Sequence, residues 1–129
     1  MGKVVVLDAS ALLALLFNEP GAEQITPELL DDAAIGTVNL AEVQTRLVRV
    51  GDDPEEAWID ARSFVSEIHP FTVEQARIAG SLVSQTSRLG LSLGDRACFA
   101  LAMTLDAPVY TTDQSWKKVK AGVDVRVIR

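Results

Sequence analysis

Short apolar strand patterns alternate with helix patterns along this sequence. Strands that each contain valine or isoleucine are predicted at residues 3–7, 34–38, 68–71, 109–111 and 123–128. Helices are predicted at residues 11–17, 22–30, 39–50, 54–67 and 73–89 and from residue 92 onward, with a short turn or helix at 115–120. This alternation is typical of an α/β fold with three layers, in which helices cover both faces of a central, mainly parallel sheet.

Capping residues predict where several of these helices begin and end. Asn39, Thr72 and Ser92 stand at predicted helix starts, because their short polar side chains can accept a hydrogen bond from a free backbone N–H. Gly51 and Gly90 stand at predicted ends, because glycine readily adopts the left-handed conformation that closes a helix. The chain of 129 residues is therefore predicted to form one domain, spanning residues 1–129.

The single cysteine and the first residues indicate the cellular setting. Cys98 lies in an apolar run and is predicted to be a small buried hydrophobe, so an internal disulfide and a CxxC zinc site are both excluded. A chain without disulfides suits a reducing compartment. The first ten residues resemble no signal peptide, and the apolar run at 4–17 is too short to span a bilayer. We therefore expect a cytoplasmic protein that is not associated with a membrane.

The net charge of −6 argues against one common way of binding nucleic acids. Proteins that hold DNA or RNA by electrostatics alone are basic, because they neutralise phosphates with lysine and arginine. A nuclease that binds divalent cations is compatible with an acidic chain, because the metal ions bring positive charge of their own.

Two aspartates follow predicted strands. Asp8 comes directly after the strand at 3–7, and Asp113 comes just after the strand at 109–111. In a parallel sheet, ligands and chemistry gather at the carboxyl ends of the strands. The two acids can therefore lie close together although they are far apart in the sequence.

Two further acids fall in the first turn of predicted helices. Glu42 lies three residues after Asn39, and Asp95 lies three residues after Ser92. If Asn39 follows the second strand directly, Glu42 lies at the same edge of the sheet as Asp8. The positive end of each helix dipole also lowers the free energy of an anion at that position.

Four clustered carboxylates would raise one another's pKa values, and hard divalent cations relieve that repulsion. Mg²⁺ and Mn²⁺ prefer oxygen ligands, and two such ions ~4 Å apart can activate a water and stabilise the leaving oxygen of a phosphodiester. Each acid also has a structural interpretation. Asp8 would then be a helix cap, Asp113 a turn residue, and Glu42 and Asp95 members of capping boxes.

The order of these motifs resembles the PIN domain, and within it the VapC toxins of bacterial and archaeal toxin–antitoxin pairs. The matching segments are VVLDASAL at 5–12, NLAEV at 39–43, LSLGDRA at 91–97 followed by ALA at 100–102, and VYTTD at 109–113. The resemblance covers essentially the whole chain. It implies a Rossmann-like PIN fold and an endoribonuclease that depends on Mg²⁺ or Mn²⁺ and cleaves transfer, ribosomal or messenger RNA.

The resemblance also implies roles for residues and partners. The acidic quartet of the family is matched by Asp8, Glu42, Asp95 and Asp113. Ser10 and Thr111 match hydroxyl positions that orient the first and last aspartates, although a helix cap and a strand residue are equally good interpretations of the two. Family members usually form homodimers, and a cognate VapB-type antitoxin inhibits them by presenting an arginine or lysine to the carboxylates. The helices at 23–30 and 54–66 are candidates for the antitoxin groove.

Some basic and aromatic residues near the proposed site have two interpretations each. Arg88 and Arg96 are candidates for contacts with RNA phosphates, and solvated surface charge is the alternative. Trp116 is a candidate for stacking on a base, but core packing is favoured. His69 is far in sequence from every proposed ligand and is expected to be structural.

Two other functions compete with the nuclease. A receiver-like signalling domain would share the length, the acidity and the α/β pattern, but it needs a phosphoacceptor aspartate after a middle strand and a lysine after a late one. Asn39 and Asp113 follow those strands here. The other alternative is a PIN-like protein that binds RNA or a partner without cleavage, and the intact acidic quartet counts against it.

Overall fold

Strands and helices alternate in the computed structural model, which describes residues 3–129. Within those residues the strands are β1 (Val5–Leu7), β2 (Ala33–Gly36), β3 (Glu67–His69), β4 (Val109–Thr111) and β5 (Val125–Val127). The α-helices are α1 (Ala9–Phe17), α2 (Pro27–Leu30), α3 (Thr37–Arg49), α4 (Pro54–Arg62), α5 (Val73–Ser81), α6 (Val83–Thr86) and α7 (Leu93–Leu105). Short 3-10 turns cover Ala22–Gln24, Ser87–Leu89 and Gln114–Lys118. The predicted α/β class is confirmed.

The strands form one parallel sheet in the order β3-β2-β1-β4-β5. β1 lies at the centre, and Val6 is in register with Ala34 of β2 on one side and Val109 of β4 on the other. Because the strands are parallel, their carboxyl ends meet at one edge. β1 and β4 therefore bring Asp8 and Asp113 to that edge. At the same edge, β2 ends and α3 begins directly after it.

The two faces of the sheet pack against different helices. On one face, Leu7 and Tyr110 pack against α1, and Ile35 joins the core that α1 forms with α3 and α4. On the other face, Val6 and Val109 pack against α7, and α5 lies against α7. Full burial of such side chains stabilises the fold by roughly 1.5–3 kcal/mol each. The predicted three-layer arrangement is therefore confirmed.

Two predicted helices are interrupted. The one predicted at 22–30 is a 3-10 turn followed by α2, because Pro27 lacks an N–H and Thr26 caps a new helix, accepting from Leu29 N at 3.2 Å. The one predicted at 73–89 is divided into α5, α6 and a 3-10 turn. Ser81 and Thr86 donate to carbonyls four residues earlier, and such bonds bend helices. Its predicted ends are both present, since Thr72 caps α5 and Gly90 closes the last turn.

Two other helix boundaries were wrong. The helix predicted at 54–67 ends at Arg62, because Glu67 pairs with Ala34 as part of β3. The strand predicted at 34–38 ends at Gly36, and α3 begins at Thr37 rather than after Asn39. Asn39 is therefore not a cap, and Glu42 lies in the second turn of α3. No helix among residues 3–129 is long and apolar enough to cross a membrane.

Candidate metal centre

Asp8 lies where β1 passes into α1, and only 5 % of it is exposed. Its Oδ1 accepts the Ala11 N–H at 2.8 Å, so that Asp8 is the N-cap of α1. Ser10 Oγ donates to the same oxygen at 2.7 Å, and Thr111 Oγ1 donates to Oδ2 at 2.6 Å. Asp8 therefore has the structural role that its sequence position allows, and it also lies at the carboxyl edge of the parallel sheet, where ligands bind in α/β folds in general.

The buried carboxylate of Asp8 has no basic side chain to balance its negative charge. Burial, together with the smaller effect of the negative charge of Asp95, raises the pKa of the Asp8 carboxyl to about 6, against the opposing effect of its hydrogen bonds. No lysine, arginine or histidine among residues 3–129 forms an ion pair with Asp8. A cation beside Asp8 would therefore be stabilised.

Ser10 and Thr111 connect Asp8 to the end of β4. Ser10 Oγ accepts the Thr112 N–H at 3.0 Å, and Thr111 Oγ1 accepts the Asp113 N–H at 3.1 Å. Thr111 is fully buried, so its hydroxyl has no competing water. The segment that carries Asp113 is thereby held next to the segment that carries Asp8.

The Asp113 side chain itself is exposed and turned toward its own 3-10 turn. Its Oδ1 accepts from Ser115 N at 2.9 Å and from Ser115 Oγ at 2.7 Å. Thr111 therefore contacts Asp113 through the backbone of that residue rather than through its carboxylate.

Glu42 reaches the first turn of α7 from the second turn of α3. Asn39 is buried on the same helix, and its Nδ2 donates to Glu42 Oε1 at 2.8 Å and to the Gly94 carbonyl at 3.0 Å. A Cβ atom placed on Gly94 would lie 2.7 Å from Glu42 Cδ and 2.9 Å from Oε1. The Glu42 carboxylate thus fills the space that a side chain at position 94 would need. This packing places Glu42 against Gly94, the residue before Asp95 in the first turn of α7.

Asp95 is half-buried in the first turn of α7, as its spacing from Ser92 predicted. The two residues form a capping box, in which Ser92 N donates to Asp95 Oδ2 at 2.9 Å and Asp95 N donates to Ser92 Oγ at 3.2 Å. Burial raises the pKa of Asp95, the bonds from Ser92 lower it, and the charge of Asp113 raises it further. Asp95 therefore interacts electrostatically with both aspartates that follow strands.

The buried thiol of Cys98 is influenced by the charges of three of the four acids. Cys98 is on α7, three residues after Asp95, and is fully buried, as predicted. Burial raises the pKa of this thiol well above its usual range, and the negative charges of Asp8, Asp95 and Glu42 raise it further. The thiol therefore stays protonated, and the charges of these three acids all act on this part of α7.

The carboxylates do not form a ready-made cage. Among residues 3–129, no three histidine, cysteine, aspartate or glutamate side chains are grouped closely enough to hold a metal ion. Each acid instead accepts hydrogen bonds from its own donors. Those of Asp8 come from α1 and β4, that of Glu42 from Asn39, that of Asp95 from Ser92, and those of Asp113 from Ser115. The donor set is entirely oxygen, the raised pKa of Asp8 favours a nearby cation, and these properties fit Mg²⁺ or Mn²⁺.

Asn39 and Gly94 are the contributors to this arrangement that the sequence alone did not identify. Gly94 could have been noticed in the sequence, because glycine inside a helix lowers the stability of the helix by about 1 kcal/mol relative to alanine. A glycine in the first turn of α7 therefore indicates a special packing requirement. Asn39 gave only a misleading signal, because asparagine near a helix start is normally a cap.

The other candidate residues have varied positions. Arg96 Nη1 donates a hydrogen bond to the Ala79 carbonyl at 2.8 Å and thereby connects α7 to α5. Its contact with RNA stays a prediction. Arg88 is exposed in the turn before Gly90, and its RNA contact also stays a prediction. Trp116 is 1 % exposed and packs on Phe99 with ring centroids 4.7 Å apart, so base stacking on it is wrong and core packing is confirmed. His69 bonds to a neighbouring glutamate in β3.

The family model of the PIN domain matches residues 5–122. The chain belongs to the PIN domain family. The match includes all four acids of this PIN domain, together with Ser10, Asn39, Gly94 and Thr111. No curated protein matches the chain significantly by sequence.

Solved structures of toxin–antitoxin complexes share the fold of this PIN domain. A VapBC complex from Rickettsia felis, bound to a DNA fragment from its promoter, has a TM-score of 0.75 at 17% identity, covering 95% of this chain and 97% of that one. A toxin–antitoxin complex from Klebsiella pneumoniae has a TM-score of 0.72 at 20% identity, covering 97% and 98%. A VapBC complex from Mycobacterium tuberculosis has a TM-score of 0.61 at 23% identity, covering 98% of both chains. These likenesses establish the PIN fold.

Proposed function

We propose that this PIN domain is a metal-dependent endoribonuclease, and specifically a VapC-type toxin that a cognate VapB-type antitoxin inhibits. PIN domains are generally nucleases, and they generally depend on divalent metals. The observation that carries the proposal is the buried Asp8 carboxylate at the carboxyl edge of the sheet, with a raised pKa and without a basic partner.

The proposed metal ligands are Asp8, Glu42, Asp95 and Asp113. A bound Mg²⁺ or Mn²⁺ supplies a Lewis acid for the phosphodiester and lowers the pKa of its bound water. Ser10 and Thr111 hold both oxygens of Asp8 in one orientation, and Asn39 does the same for one oxygen of Glu42. The Cys98 thiol is buried and its pKa is raised, so it does not act as a nucleophile.

An antitoxin partner is supported by the neighbours, one of which is described as a toxin–antitoxin complex and the others as VapBC or FitAB. An arginine or lysine that approached Asp8 would neutralise the same buried charge that a metal ion neutralises, and would thereby inhibit the enzyme. The RNA substrate and the homodimer are part of the same proposal and rest on the resemblance in sequence.

The proposal is tested by incubating the purified protein with transfer RNA and ribosomal RNA in Mg²⁺, in Mn²⁺ and in a chelator. Cleavage is expected only with a divalent cation, and Asp8→Asn and Asp95→Asn should each abolish it. Asp60→Asn is the matched control, because Asp60 is exposed on α4 and is not one of the proposed ligands. Equal cleavage by the control and by both site variants would contradict the proposal. Calorimetric binding of Mn²⁺ without cleavage of any RNA would instead indicate a non-catalytic PIN domain.

A further inference from the structure

The arginines of this acidic protein differ in whether their charge is already neutralised. Three of them, Arg77, Arg126 and Arg129, form ion pairs with acidic neighbours. Arg46 and Arg49 of α3 form no ion pair within residues 3–129. Their positive charge is therefore available to an anion from outside the protein.

Arg46 and Arg49 line an open groove that also contains Glu42. The groove has a volume of about 690 Å³ and runs along one face of α3, with Glu42, Thr45 and the two arginines among its lining residues. Arg46 is about one helical turn beyond Glu42, and Arg49 is about two turns beyond it, or ~10 Å along the axis. The opposite face of α3 is buried, so these cations are kept on the groove side.

Phe17 holds one of the two guanidinium groups in place. The Cζ atom of Arg46 lies 5.6 Å from the centroid of the Phe17 ring, and Phe17, the last residue of α1, is 37 % exposed. This cation–π contact orders the arginine before any ligand arrives. Aromatic rings and guanidinium planes are the surfaces on which unpaired RNA bases stack, and arginine is well suited to bind phosphate.

We infer that the groove along α3 holds the single-stranded RNA substrate, with Arg46 and Arg49 on its backbone phosphates and Glu42 near the bond to be cut. The inference rests on the proposed nuclease function and names where that site takes its substrate. Unpaired cations next to an acidic catalytic edge complement a polyanion, which favours RNA over a protein partner as the occupant. The groove also explains how a chain of net charge −6 can hold RNA.

The test measures binding of a fluorescently labelled, unstructured RNA oligonucleotide by anisotropy at several salt concentrations. Ca²⁺ replaces Mg²⁺, because it fills oxygen sites without the octahedral geometry that Mg²⁺ demands. The double variant Arg46→Gln/Arg49→Gln should bind roughly tenfold more weakly, and the slope of log affinity against log salt should fall by about 1.4 for two lost phosphate contacts. The matched control is Lys3→Gln/Arg62→Gln, which removes the same charge from other exposed positions and should bind like the wild type.

The outcomes separate this inference from the proposed function. If the α3 double variant alone loses RNA affinity but wild-type protein cleaves no RNA, the groove assignment stands and the nuclease proposal fails. If both double variants lose affinity equally, or neither does, the groove assignment is overturned. It is also overturned if the α3 variant binds RNA normally but loses self-association in sedimentation, because the face is then an interface between copies. Calorimetry with Mn²⁺ should give equal affinities for all these proteins.

Discussion

The two halves of the candidate metal centre are built differently. Asp8 is buried between β1 and β4 and is held by a backbone N–H and two hydroxyl groups. Glu42 is exposed on α3 and is held by the Asn39 amide and by the absence of a side chain at Gly94. The first half depends on a buried charge, and the second depends on close packing of two helices.

Each half of the centre contributes a different property. The Asp8 half contributes affinity for a cation. Burial makes the charged form of its carboxylate unfavourable, and a cation beside it lowers the free energy of that charged form. The Glu42 half contributes position, because its carboxylate can rest against α7 only while residue 94 is glycine. Charge and packing can therefore be disturbed separately.

The largest expected effect comes from removing the charge of Asp8. Its folded-state pKa of about 6 exceeds the usual value of 3.8, so its contribution to stability is complete below pH 3.8 and is lost as the pH rises through 6. By pH 7 this loss is about 3 kcal/mol. Asp8→Asn should therefore be more stable than wild type at pH 7 in a chelator, by up to about that amount, although we expect it to be inactive.

Denaturant unfolding at pH 4, 5, 6 and 7 measures this difference. The curves of the two proteins should converge near pH 4, because Asp8 is then largely protonated in the folded state. Mn²⁺ should stabilise only the wild type. Parallel pH dependences of the two proteins would show that Asp8 carries no unfavourable buried charge.

The next largest effect is expected from Gly94→Ala, which tests the packing half. The new Cβ would displace the Glu42 carboxylate, and a misplaced ligand can reduce activity about a hundredfold. Gly80→Ala on α5 is the matched control, because nothing lies within 4 Å of the added Cβ there. The control should gain up to about 1 kcal/mol of stability and keep its activity. Full activity of Gly94→Ala would show that Glu42 does not need its place against α7.

The smallest effect is expected from Asn39→Asp, which keeps the shape of the side chain but replaces its donor by a carboxylate. Oxygens would then face both Glu42 and the Gly94 carbonyl, and Mn²⁺ affinity should fall about tenfold. Gln44→Glu makes the same chemical change at another position on α3, where the side chain bonds to the Pro54 carbonyl, and should leave the affinity unchanged. Calorimetry measures both, and thermal unfolding checks that the proteins are folded. Equal affinities would show that Asn39 does not position Glu42.

Features that depend on near neighbours in the chain could be predicted from the sequence. The five strands, the cap at Thr72, the capping box of Ser92 and Asp95, and the closure at Gly90 were all predicted, because each rests on residues a few positions apart. The placement of Asp8 and Asp113 at one edge followed from parallel pairing, which the alternation of strands and helices implies.

Features that depend on distant partners were decided by the tertiary structure. The residues around Asn39 predict a helix cap. Its side-chain amide instead donates a hydrogen bond to the carbonyl of Gly94, 55 residues away. The helix predicted at 54–67 was shortened because pairing with β2 satisfies the backbone of Glu67 in a strand. Periodicity and capping determined the fold class and the acidic edge. Which groups touch across that edge was decided by how α3 and α7 pack, because a short-range pattern contains no information about contacts between segments far apart in the chain.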